Sequence, residues 1–102
     1  MLTGIPRYYS TAETRVPCPD RVKFEVVNQL VEWFSREYEV ISIDGVRVLF
    51  GDGWGLVRAS NTQPVLVARC ESNTPEGLER ICGIIQRALN EFPDVADFEW
   101  EY

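Results

Sequence analysis

Between residues 20 and 38 apolar side chains return every three or four positions, at Phe24, Val27, Leu30, Val31, Phe34 and Tyr38. That spacing gathers them on one face of a helix, with Asp20 placed as its N-cap and Trp33 toward the edge of the face. Aromatic residues at such spacing far more often build a core than contact a ligand, so the pattern predicts a core helix. After Tyr38 the period drops to two. Residues 40–43 form a short apolar run, Asp44-Gly45 is a hairpin signal, and Val46, Val48 and Phe50 alternate with Arg47 and Leu49. Gly51-Asp52-Gly53 turns the chain again. Trp54, Leu56 and Arg58 then share one face of a third strand, with Gly55 and Val57 on the other and Gly55 suited to a close backbone approach. Residues 65–70 predict a fourth strand. Thr74 is placed to cap a second helix with Pro75 at its first position, Leu78, Ile81, Ile85, Ala88 and Phe92 give its stripe, and Pro93 ends it.

The order helix, four strands, helix predicts an α+β fold, a four-stranded antiparallel sheet with two helices on one face. Residues 1–19 carry three prolines and no clear period, so they are expected to form an extended interdomain lead-in, anchored by Tyr8 and Tyr9, that follows a further N-terminal domain. Residues 20–93 are expected to be the domain proper. Residues 94–102 read as an acidic tail, with Phe98, Trp100 and Tyr102 alternating and one or two of these aromatics packed. Asp94, Asp97, Glu99 and Glu101 in that tail are solvated charges before they are a metal cluster.

Composition narrows the function. A length of 102 residues suits one domain with a modest two-layer core and is too short for a multi-lobed catalytic cleft. The net charge of −6 argues against a nucleic-acid partner, because duplex binding depends on Lys and Arg neutralising phosphates over a broad surface. It leaves room for one bound phosphate group, since screening limits distant carboxylates to a reach of about 8 Å. Cys18, Cys70 and Cys82 are odd in number and widely spaced, and the chain has no histidine to complete a zinc site, so reduced, partly buried thiols are expected. No signal peptide and no long apolar run is visible; the expectation is a cytoplasmic protein with no membrane partner.

The candidate chemistry lies in residues 58–64, between the third and fourth strands. Arg58 offers a planar, permanently charged fork that can grip two phosphate oxygens at once. Ser60 and Thr62 add hydroxyls, Asn61 adds an amide, and successive backbone N–H groups of a tight turn can converge on an anion. Pro64 has no N–H and marks the end of the loop. On the residues alone, an anion cradle and a plain polar turn are both open readings, since Ser, Asn and Pro are ordinary turn residues.

Three blocks favour the cradle: D-G-V-R-V at residues 44–48, G-W-G-L-V-R-A-S-N-T-Q-P-V-L-V at 53–67, and E-S-N-T-P-E at 71–76. With Y-S-T-A-E at 9–13 ahead of the first helix, this text resembles the C-terminal (fourth) domain of the α-D-phosphohexomutases, especially the phosphomannomutase/phosphoglucomutase group. The resemblance runs up to about Phe92. It implies a TATA-binding-protein-like fold, and it implies that Arg58, Ser60, Asn61 and Thr62 bind the phosphate of a hexose phosphate. The family's phosphoserine, its magnesium-holding aspartates and its sugar-reading loop belong to three other domains, which are the implied partners. No cofactor is implied for this domain; Mg2+ and a hexose 1,6-bisphosphate activator are implied for a full-length enzyme that interconverts hexose 1-phosphate and 6-phosphate. The expectation is therefore a phosphate-binding, cleft-closing domain, inactive alone, with no catalytic residue and no metal ligand of its own. A free-standing phosphosugar-binding or regulatory module is the alternative.

Overall fold

A computed structural model describes residues 9–101; Tyr8 and Tyr102, two of the expected anchors, lie outside them. The described chain folds as α+β, with two helices on one face of an antiparallel sheet, as the sequence predicts. The sheet has six strands where four were expected. They are β1 (Tyr9–Ser10), β2 (Thr14–Pro17), β3 (Glu39–Ile41), β4 (Val46–Phe50), β5 (Gly53–Ala59) and β6 (Val65–Ser72). Their order is β1-β6-β5-β4-β3, with β2 pairing β6 beyond β1. Helices α1 (Asp20–Ser35) and α2 (Pro75–Asn90) lie across it, α1 over β3 to β6 and α2 over β5, β6 and β1.

The two extra strands come from the segment expected to be an extended lead-in. Thr14 pairs with Ala68 and Val16 with Leu66, and both side chains point into the core. Alternation is present, but a threonine occupies one of the two inward positions and the strand ends after four residues at Pro17, so too little apolar period survives to be read. Thr11, between β1 and β2, is fixed as well. Its N–H donates to the Cys70 carbonyl at 3.0 Å, and its hydroxyl accepts the Cys70 N–H at 3.1 Å.

The core is a single layer between helices and sheet. Leu30 and Phe34 of α1 and Ile81, Ile85 and Leu89 of α2 meet Val46, Val48, Val57 and Leu66 from the strands, all at 2% exposure or less. Truncating Phe34 to alanine there would destabilise the fold by about 3–5 kcal/mol. At Gly55 a Cβ would come within 2.8 Å of the Ile85 side chain, so the glycine predicted to permit close approach does so against α2. The hairpin at Asp44-Gly45 has φ of 56° and 134°, the left-handed geometry that this dipeptide tolerates.

Helix α2 begins as expected: Thr74 Oγ1 accepts the Gly77 N–H at 2.9 Å and Pro75 opens the helix. Its start is tied to the β4–β5 turn, where the Asp52 carbonyl accepts from Ser72 Oγ and from the Asn73 N–H, and Arg80 pairs with the Asp52 carboxylate. Helix α1 departs from the sequence reading at its first turn. Pro19 occupies the N-cap position without a side-chain bond, and Asp20 is the first helical residue, where its carboxylate takes the Lys23 ammonium instead of a backbone amide. The inward stripe runs Lys23, Val26, Val27, Leu30, Phe34, while Phe24 is 55% exposed.

The acidic segment after α2 lies along β2. The Ala96 N–H donates to the Pro17 carbonyl, the Ala12 N–H to the Glu101 carbonyl, and the Glu101 N–H to Thr14 Oγ1. Phe98 and Trp100 pack edge to face, 5.2 Å between centroids, against the core. Cys18, Cys70 and Cys82 are all buried, and burial pushes the Cys18 thiol above its ordinary range. Its Cys82 contact and burial push the Cys70 thiol up as well, so neither group is an activated nucleophile.

Candidate functional site

Arg58 is the last but one residue of β5 and projects from the face that the helices leave open, in one row with Val67 of β6 and Arg15 of β2. On the same face the Trp54 ring lies 4.7 Å from the Arg47 guanidinium carbon and 5.9 Å from that of Arg69, which covers the indole and holds both arginines at the surface. The strand below Arg58 is paired on both sides, with β4 and β6. Beyond Ala59 the chain leaves the sheet and returns at Val65.

The loop 60–64 is closed by its own backbone. The Ser60 N–H donates to the Val65 carbonyl at 3.1 Å, and the Val65 N–H donates back to the Gln63 carbonyl at 2.8 Å. Ser60 Oγ accepts the N–H groups of Thr62, at 3.3 Å, and of Gln63, at 3.2 Å. The hydroxyl therefore shapes the turn while keeping its own proton available for donation. From outside, the Cys18 N–H binds the Pro64 carbonyl at 3.0 Å and the Lys23 ammonium binds the Gln63 carbonyl at 3.0 Å.

The four residues singled out in the sequence fall on two sides of this loop. On the α1 side Arg58 and Asn61 share a recess of about 640 Å³ with Phe24, Asn28 and Asp44. On the β2 side Arg58, Ser60 and Thr62 share a smaller one, about 230 Å³, with Glu13, Arg15 and Gln63. Arg58 lines both. Its guanidinium is partly exposed and pairs with Glu13 at 3.4 Å, an ion pair open to solvent.

Glu13, Arg15, Lys23 and Phe24 are neighbours of the loop that sequence reasoning did not place there. Glu13 and Arg15 were assigned to an extended lead-in. Phe24 was assigned to the core. Lys23 sits one position from the expected stripe, and its i, i+3 spacing from Asp20 was the only local sign of a role.

The loop gathers a guanidinium, two hydroxyls and an amide, donors of the kind that an anion accepts from. Among the described residues no group of three or more His, Cys, Asp or Glu side chains converges as metal ligands. A recess of about 750 Å³ beside Trp33 and Phe92, between α1 and residues 91–94, is lined by four carboxylates, Glu25, Glu32, Glu91 and Asp94, against one cation, Arg36, an unfavourable balance for phosphate. No helix of the described residues is long and apolar enough to cross a membrane.

The sequence pattern described as "Phosphoglucomutase/phosphomannomutase, C-terminal domain" matches residues 13–88. The chain is 43% identical over 94 residues to a phosphomannomutase/phosphoglucomutase of Pseudomonas syringae pv. tomato, covering 88% of this chain and 20% of that protein. It is 38% identical over 98 residues to a phosphoglucomutase of Neisseria meningitidis serogroup B, covering 93% of this chain and 21% of that protein. A crystal structure of a phosphoglucomutase/phosphomannomutase family protein from Burkholderia thailandensis superposes with a TM-score of 0.70 at 30% identity, over 97% of this chain and 20% of that one. The chain thus spans about a fifth of the length of the curated relatives it matches.

Proposed function

The chain belongs to the phosphoglucomutase/phosphomannomutase family as its C-terminal domain, and on that premise we propose that it holds the phosphate of a hexose phosphate through Arg58, Ser60, Asn61 and Thr62. The observation that carries the reading is Arg58. It stands near the end of a strand paired on both sides and lines the recess on each side of the loop, one shared with Ser60 and Thr62 and the other with Asn61, and its fork of donors suits two phosphate oxygens. A phosphate at this loop replaces the weak Glu13 contact with two or more charge-assisted hydrogen bonds.

In the whole mutase the bound phosphate is the one not being transferred, so the opposite sugar oxygen is presented to groups on the other three domains. Fixing the reactant is a large share of phosphoryl-transfer catalysis, where the protein mainly positions and neutralises. Magnesium and a hexose 1,6-bisphosphate act at those other domains, and no step within this chain runs through a metal. Gripping substrate from a separate domain also closes the cleft. Because β1 is paired to β6 and Thr11 is bonded to Cys70, residues 9–11 move with the domain in that closure. Comparing the orientation of this domain in the intact mutase with and without hexose phosphate tests the closure; an unchanged orientation defeats it.

The binding itself is tested by titrating the chain with glucose 1-phosphate or mannose 1-phosphate while following backbone amides. One domain supplies part of the contacts, so the expected dissociation constant is on the order of millimolar. Shifts confined to residues 58–63 are expected. Saturating phosphate without any shift there overturns the reading.

A further inference from the structure

Lys23 is the only lysine of the chain, and among the described residues it is the only charged side chain that is buried, at 4% exposure. It occupies an inward position of an amphipathic helix, where an apolar residue would pack without desolvating a charge. Its ammonium instead donates to Asp20 Oδ1 at 2.7 Å and to the Gln63 carbonyl at 3.0 Å. The second bond reaches the loop of Arg58. Gln63 passes it on, because the Gln63 N–H donates to the same Ser60 oxygen that accepts the Thr62 N–H.

We propose that Lys23 is a positioning residue for the phosphate loop: it fixes the Gln63 peptide, and through it the Ser60 hydroxyl and the Thr62 amide, while holding a positive charge beneath the bound anion. The proposal rests on the phosphate-binding reading of Arg58, Ser60, Asn61 and Thr62. The charge beneath the loop is unequally screened. The Asp20 side chain is 69% exposed and that of Lys23 only 5%, so water attenuates the field of the carboxylate more than that of the ammonium. Phosphate binding and the Lys23–Gln63 bond then strengthen one another.

A single lysine makes the test direct. In 15N spectra selective for ammonium groups, the one side-chain signal is expected to persist through its shielding from solvent. On titration with inorganic phosphate it should shift with the same dissociation constant as the amides of residues 60–62. Amide shifts in the loop without any ammonium shift overturn the role of Lys23; no shift anywhere overturns the phosphate reading instead. Lys23→Met, if it still melts cooperatively, should bind phosphate about tenfold more weakly, the change that one charge-assisted hydrogen bond carries. Lys23→Arg should recover most of that loss, which a generic packing defect would not allow. Unaltered binding by a folded Lys23→Met overturns the proposal, and if that variant does not fold the ammonium titration of the unaltered chain decides.

Discussion

The Arg58 guanidinium rests 3.4 Å from the Glu13 carboxylate, 45 residues away in sequence, so the arginine proposed to grip phosphate carries an internal anion in its place. An incoming phosphate must displace it. Exposed pairs of this kind contribute under about 1 kcal/mol, so Glu13→Gln should tighten hexose phosphate binding by about two- to fivefold. Isothermal titration of the two proteins at matched ionic strength measures this. Weaker binding by the variant would show that Glu13 supports the site rather than competing for it.

Arg58→Lys keeps the charge and loses the fork. Binding should weaken by about tenfold. Thermal stability should stay unchanged, since Arg58 is partly exposed and makes one long ion pair. Equal affinity in the two proteins would mean that a point charge suffices and that bidentate geometry plays no part.

Gly55 lies directly under Ile85. A valine there would drive its side chain into Ile85, already at the 2.8 Å that a bare Cβ would reach, and should destabilise the domain by roughly 1–3 kcal/mol. Denaturant unfolding with an unchanged slope would assign the loss to the native packing. The phosphate loop, at the far end of β5, should keep its affinity.

Asp52 ties the β4–β5 turn to α2, and its hydrogen bond from Arg80 holds its carboxyl below the ordinary 3.8. The folded state therefore binds this proton less readily than the unfolded chain. Its contribution is present above about pH 4 and fades as pH falls through the lower folded value. Asp52→Asn should lower stability by about 0.5 kcal/mol at pH 7, an exposed-pair magnitude. The gap to the parent protein should narrow at pH 2. A gap that stays constant with pH would locate the effect in the turn backbone instead of the charge.

The sequence disclosed what is set locally. Asp44-Gly45 and Thr74-Pro75 carry their turn and cap chemistry within a few residues, and both form as read. What it concealed depends on partners far along the chain. β2 exists because Thr14, Arg15, Val16 and Pro17 meet residues 65–68, and no period within four residues discloses that. The exchange of Lys23 and Phe24 is sharper: the lysine faces inward and the phenylalanine outward, against their hydrophobicity. A carbonyl forty residues away repays the buried ammonium, and Phe24 is left to line the recess beside Arg58. Arg58, Ser60, Asn61 and Thr62 were legible as a group, but only the fold divides them between the two sides of one loop.

The segment laid along β2 occupies backbone groups that a sheet margin otherwise offers to any passing strand. With Ala12 and Pro17 engaged by Glu101 and Ala96, that margin is sealed, whereas the opposite one, β3, is only three residues long. Removing residues 94–102 would unseal it beside the apolar ground left by Phe98 and Trp100. A protein shortened to Pro93 should associate with itself in a concentration-dependent way in sedimentation experiments. That outcome would make the acidic aromatic segment a guard on the sheet margin, keeping one domain from being mistaken by its own copies for a missing strand.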